Sequence, residues 1–267
     1  MKRERLPVLA ILVLALVVTS AEPASAKIVK TRRFREVALV VGSGVEYQSD
    51  SDQTEYGFPF LLEYGPSDAL KITIEPSYAS IRDKNAGRTV RGIGDLETTL
   101  AWEFLTMRRN RPSLELEGMV KWPTAKHDEI GTGKTDYSLG GVVSKEFVHM
   151  DLDLEALYTF VGSPAGVQLQ NTFEVSLAAE WHLSSFFDLE GEVLTGGGTG
   201  RGFHGQPGTI GGFGGLGGSE TGGHESEGTL GLAEHLTDHL KLEEGIIYKS
   251  DGSWQAVAAW ELDFAER

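Results

Sequence analysis

Through most of this chain apolar residues fall on every second position, the period of a β-strand whose side chains alternate between two faces, and not that of a helix. In Ser113–Trp122, Leu114, Leu116, Gly118, Val120 and Trp122 share one face, while Ser113, Glu115, Glu117, Met119 and Lys121 share the other. Residues 151–160 split the same way, into Leu152, Leu154, Ala156, Tyr158 and Phe160 against Asp151, Asp153, Glu155, Leu157 and Thr159. In 187–194 the polar face carries Asp188, Glu190 and Glu192, and in 254–264 the apolar face carries Trp254, Trp260, Leu262 and Phe264. The same reading predicts strands at 35–47, 55–64, 69–80, 93–106, 112–123, 135–147, 150–162, 169–183, 187–196, 229–236, 240–250 and 254–264. These are twelve strands, each long enough for a tilted crossing of a hydrocarbon layer, which takes about 9–11 residues.

Alternation alone suits a soluble sandwich as well as a membrane barrel. The connections favour the barrel, because the joints after every second strand are short and several on the other side are long, as periplasmic turns and extracellular loops are. Two of the short joints share a pattern, Trp181-His-Leu-Ser-Ser-Phe-Phe-Asp-Leu-Glu and Glu234-His-Leu-Thr-Asp-His-Leu-Lys-Leu-Glu. Aromatic residues gather near the strand ends, Tyr47, Tyr56, Tyr78, Trp122, Tyr137, Tyr158, Tyr248 and Trp254 at one end and Tyr64, Trp102, Phe104, Phe147, Trp181 and Phe264 at the other. Two aromatic girdles are the expected interface anchors. The expected fold is therefore all-β, a closed antiparallel transmembrane β-barrel of about twelve strands. Its lumen is expected to be lined by Asp95, Glu97, Glu115, Glu117, Lys121, Asp153, Glu155, Glu190 and Glu192.

Some positions resist the pattern. Glu234 and Glu244 fall on the apolar face, where a bulge or register change near each would turn them inward. Pro59 and Pro76 stand within strands, where a missing N–H removes a ladder bond. Residues 196–228 hold 16 glycines in 33 positions and almost no periodicity, and are expected to form one long extracellular loop.

Charge and the chain start narrow the setting. Lys2, Arg3 and Arg5 precede the apolar run Val8 to Val18, and Ala24-Ser25-Ala26 offers a small-x-small cleavage site, so residues 1–26 are expected to be a signal peptide and 27–267 the barrel. That run has 11 residues, where a helical span needs roughly 18. The net charge is −15; the first 26 residues carry three cations against two acids, so the remainder stands at −16. Such an acidic chain is unsuited to nucleic acid. Without cysteine it has neither disulfides nor a lipidated N-terminal Cys. The expected location is the outer membrane, with the lipid bilayer, the barrel-insertion machinery and a small-molecule solute as partners. The spacing Trp260-x-Leu262-x-Phe264 suits the terminal strand that such machinery recognises. The oligomeric state is open.

Catalytic and cofactor motifs are not evident. Gly198-Thr-Gly200-Arg-Gly202 neither runs from a strand into a helix nor offers a Lys-Ser/Thr pair, so it is a poor phosphate cradle. The glycine loop lacks the recurring Asp of calcium-binding repeats. His149, His182, His235 and His239 lie at short turns and His127, His204 and His224 in loops, with no close zinc-ligand spacing, so no metal site is expected. No strand presents Ser beside His on its outer face, as a barrel phospholipase would need.

From Gly92-Ile-Gly-Asp95 onward the chain resembles the outer-membrane transporters of the "MetA-pathway of phenol degradation" family. The likeness runs through Ala101-Trp-Glu-Phe104, Pro112-Ser-Leu-Glu-Leu116, Lys121-Trp-Pro-Thr124 and Gly131-Thr-Gly-Lys-Thr-Asp-Tyr137, one block between residues 92 and 137. It implies a transport-type barrel linked to uptake of aromatic or other hydrophobic compounds, with no catalytic residues to carry over. The function expected is a passive channel with an acidic, cation-favouring lumen. Two alternatives stay open: a non-conducting structural or surface-interaction barrel, and behind it an outer-membrane hydrolase.

Overall fold

The computed structural model describes residues 38–49, 51–109, 111–131, 133–163, 169–198, 223–237, 239–250 and 254–264. All its regular elements are strands: β1 (Ala38–Ser49), β2 (Gln53–Ser67), β3 (Leu70–Glu75), β4 (Ser77–Asp83), β5 (Thr89–Ile93), β6 (Leu96–Leu105) and β7 (Ser113–Trp122), then β8 (Asp136–Glu146), β9 (Met150–Phe160), β10 (Thr172–His182), β11 (Phe187–Gly198), β12 (Gly223–His235), β13 (Leu240–Lys249) and β14 (Trp254–Asp263). They form a single antiparallel sheet that closes, because β1 pairs with both β14 and β2. β3 and β4 both pair with β2 and are two halves of one stave. β5 and β6 continue one another likewise, facing β4 and β3. Counted as staves, the fourteen strands make a barrel of twelve.

The halved staves have visible causes. Pro76 separates β3 from β4; it lacks the N–H a ladder needs. In the next stave the inward positions are even-numbered in β5, where Gly92 pairs with buried Ala79, and odd-numbered in β6, where Thr99 is buried. The phase slips at Gly94-Asp95. There Gly94 N–H donates to Ser77 O at 2.9 Å, and a Cβ on Gly94 would overlap the Ser77 hydroxyl.

Among the described residues β5 pairs with a strand on one edge only, and the segment after β7 packs beside it, His127 and Ile130 lying against Gly92. Thr124 Oγ1 donates to Gly94 O at 2.9 Å and accepts from Leu96 N–H at 2.8 Å, and Asp95 accepts from Ala125 N–H at 3.0 Å. Arg88 and Glu129 pair at 2.6 Å across the same seam. The Gly92–Asp95 and Lys121–Thr124 segments thus meet at one seam of the wall.

The two faces are segregated as the alternation predicts. Among the described residues, the outer face shows Phe60, Leu62, Leu100, Leu116, Leu139, Leu154, Leu177, Val193 and Leu230, all more than a third exposed. Aromatics ring it near both ends: Tyr47 stacks between Tyr56 and Trp254 with centroids 5.2 and 6.0 Å away, and Trp102 meets Phe104 at 5.8 Å. The described buried side chains comprise 24 polar or charged and 13 apolar ones, the inverse of a soluble sandwich core, so the inner face is polar.

Two expectations change, and one at Pro59 is met. The β12–β13 and β13–β14 ladders run without a register shift, so Glu234 and Glu244 stay on the outer face, opposite buried Ala233 and Glu243. The shifts that do occur lie at Tyr64/Ser67 and Glu103/Leu105. The glycine-rich loop is shorter than 196–228, because β11 and β12 keep pairing through Gly196↔Glu225 to Gly198↔Gly223; glycine leaves the backbone free to continue the ladder. Pro59 stands at a gap in the β1–β2 ladder between Ser43↔Phe60 and Glu46↔Gly57, with Ser43 Oγ donating to Pro59 O at 3.0 Å. The expected signal segment and the heart of the glycine loop, with His204, lie outside the described residues.

The outer face generates a stability prediction. Leu100→Arg places a charge on the apolar band and is expected to cost about 2–4 kcal/mol, read from urea unfolding in lipid vesicles. A loss below about 0.5 kcal/mol, the scale of an ordinary surface substitution, would show that this face does not meet lipid.

Candidate functional site: the charged interior

A strand's inward residues are joined to those of its neighbours by register, so the interior is best read as rows running around the barrel. One row passes Glu103, Glu115, Val142, Glu155, Ser176, Leu194, Glu227 and Lys249. Another passes Lys71, Ala101, Glu117, Gly140, Leu157, Glu174 and Gly196. A third joins Ser113, Ser144, Asp153, Ala178, Glu192, Thr229, Ile247, Gln255, Gln48 and Glu55. Acids recur in every row and at several heights.

The structure places the expected residues unevenly. Glu117, Lys121, Glu155, Glu190 and Glu192 are buried on the inner face, and Glu97, Glu115 and Asp153 stand on it half-buried. Asp95, at the phase slip between β5 and β6, accepts from the Ala125 N–H of the segment after β7. Other buried acids join them: Asp151, Glu174, Asp188 and Glu261, which the alternation already sets on polar faces, and Glu46, Glu55, Glu63, Glu75, Asp136 and Glu243, which it does not single out. Each sits at an alternate position in its own strand, so the signal was present. In β2 and β13 it was masked by Gly, Pro or Leu on the same face.

Fifteen carboxylates are buried among the described residues, and Lys121 is the one buried lysine. Lys121 pairs with Asp136, which is 0% exposed, and Asp136 Oδ1 also accepts from Gly162 N–H at 2.7 Å. Lys241 bridges Glu190 and Glu243 at 2.7 Å each. Lys249 lies 3.5 Å from Glu227 and Lys71 4.0 Å from Glu63. These four lysines leave the acids in large excess.

Solved outer-membrane barrels share this architecture. An outer-membrane channel from Pseudomonas putida F1 aligns over 92% of this chain and 100% of its own, with a TM-score of 0.64 and 10% identity. The NanC porin aligns over 84% of this chain and 98% of its own, with a TM-score of 0.59 and 10% identity. The KdgM porin, in complex with disordered oligogalacturonate, covers 84% of this chain and 99% of its own at a TM-score of 0.53 and 7% identity. The fold is that of an outer-membrane barrel. No family profile matches the chain, and no curated protein is similar to it. At such low identity the likeness to these barrels is one of fold alone.

The buried ion pair gives a test of the interior. Lys121→Met strands Asp136 as an uncompensated buried charge and is expected to lower stability by about 3–5 kcal/mol; adding Asp136→Asn is expected to restore most of it. Urea midpoints in detergent micelles measure both, and an unchanged midpoint for Lys121→Met would show the pair to be solvated.

Proposed function

We propose that the chain is a passive outer-membrane channel for a small solute, with an interior that favours cations. The observation carrying this is the carboxylate excess on the inner face, left after each inward lysine has taken its partner. A ring of fixed charge selects by sign most strongly where the bore is narrow. Glu115, Glu117, Glu155 and Glu192, with Asp153, are the selectivity elements, set on rigid staves and not on loops. They act by attraction and need no chemistry.

The similarity of fold to channels and porins supports the same reading. KdgM is solved with an oligomer of a sugar acid. An acid-lined interior repels such an anion, so a neutral or cationic solute fits this chain better. Its resemblance in residues 92–137 to transporters linked to phenol degradation adds aromatic compounds as the class to try first.

One observation favours a second reading, a barrel that does not conduct. Glu46, Thr73, Asp136 and Glu243 are at most 1% exposed, so side chains fill the interior at several levels. Planar-bilayer recording separates the two. A channel gives discrete steps and a cation-selective reversal potential in a KCl gradient, whereas silence across several salts and aromatic solutes would remove the proposal. Combining Glu115→Gln, Glu117→Gln, Asp153→Asn and Glu155→Gln is expected to move the reversal potential toward zero. An unchanged potential would show that these carboxylates do not face the ions.

A further inference from the structure

At the turn-side end of the interior, a row of four carboxylates runs directly across four strands: Glu146 on β8, Asp151 on β9, Glu180 on β10 and Glu190 on β11, each the register partner of the next. Like charges directly opposite one another are destabilising. A row of this kind is stabilised by positive charge beside it, and Lys241 supplies one at the far end, through Glu190 Oε1. Glu190 Oε2, on a side chain 5% exposed and directly opposite Glu180, accepts no hydrogen bond from any described residue.

His182 lies against the middle of this row. Its Nε2 is 3.3 Å from Asp151 Oδ2, and its Nδ1 is 3.6 Å from Glu180 Oε1. One donor atom from each of Asp151, Glu180 and His182 falls within 4.8 Å of the others. Ligands about 2.0–2.2 Å from a tetrahedral zinc ion stand about 3.4 Å apart, so small side-chain rotations close the set.

The ring is also oriented. Asp188 is 2% exposed, and its two oxygens lie 3.1 Å from His182 Nδ1 and 2.6 Å from His235 Nε2. A carboxylate only accepts, so both imidazoles donate to it. That holds the Nδ1 proton on Asp188 and turns Nε2 toward Asp151, another acceptor, so a metal ion bound there takes the place of an Nε2 proton. A carboxylate holding the far nitrogen of a ligating histidine is the usual support of a metal site, fixing tautomer and orientation.

We propose that Asp151, Glu180 and His182 bind a first-row divalent metal ion, with zinc the best match to one imidazole and two carboxylates. Water completes the shell on the interior side, and Asp188 with His235 supports the histidine. The ion offsets charge along the carboxylate row and ties β9 to β10 on the inner face. The spacing along the chain hides the site, because its ligands come from different strands and meet only through register.

The test uses full-length, untagged protein refolded in detergent, with ZnCl2 as probe and calorimetry as readout. One zinc per chain is expected. His182→Gln and Asp151→Asn are each expected to weaken it at least tenfold, and Asp188→Asn by about tenfold or more; His127→Gln, in an exposed loop, is expected to leave it unchanged. Absence of stoichiometric zinc binding, or equal affinity in His182→Gln, overturns the proposal. Should those variants not refold, X-ray absorption at the zinc edge of the unaltered protein decides. A shell with a single imidazole among oxygens supports the site, and an all-oxygen or many-imidazole shell refutes it. Neither readout depends on whether the barrel conducts.

Discussion

Inside a bilayer no water is present to satisfy a peptide group, so each backbone N–H and C=O must find its partner within the chain. Closure of the sheet through the β1–β14 ladder meets that demand, and the rest of the structure follows from it. A closed sheet has an outside and an inside. With side chains alternating, every strand must supply one residue in two to lipid and the other to the interior. That is why Leu114, Leu116 and Trp122 point one way in β7 while Glu115, Glu117 and Lys121 point the other.

The ladder's interruptions are managed locally. Where Pro59 and Pro76 remove donors, Ser43 Oγ donates to Pro59 O, and Phe60 N–H donates to Pro76 O at 3.0 Å. Where β5 lacks a strand on one edge, Thr124 and Asp95 pin residues 123–131 against it. Glu234 and Glu244 are residues the partition does not absorb, Glu244 standing outward between Leu232 and Ala258; nothing in the structure explains them.

Much of this was legible from period alone. The twelve staves, their order and the two faces are local properties, since each strand announces its faces in its own alternation. Register is different. It depends on turn lengths and on slips such as the one at Gly94-Asp95, so the row Glu146–Asp151–Glu180–Glu190 is invisible in any single strand. For the same reason His182 and His235 look like isolated turn histidines in the chain, yet both reach Asp188. The acid-rich inside could be read; which acids stand together could not.

The most direct test of the closed, two-faced barrel is a cysteine scan, clean here because the chain has no cysteine of its own. Single cysteines at each position of 113–122 in liposome-inserted protein would be probed with an aqueous maleimide and with a lipid-borne quencher of an attached fluorophore. The account predicts strict alternation, with the quencher acting at positions 114, 116, 118, 120 and 122 and not at 113, 115, 117, 119 and 121. Equal access of the aqueous reagent to both sets, with no quenching at either, would contradict it.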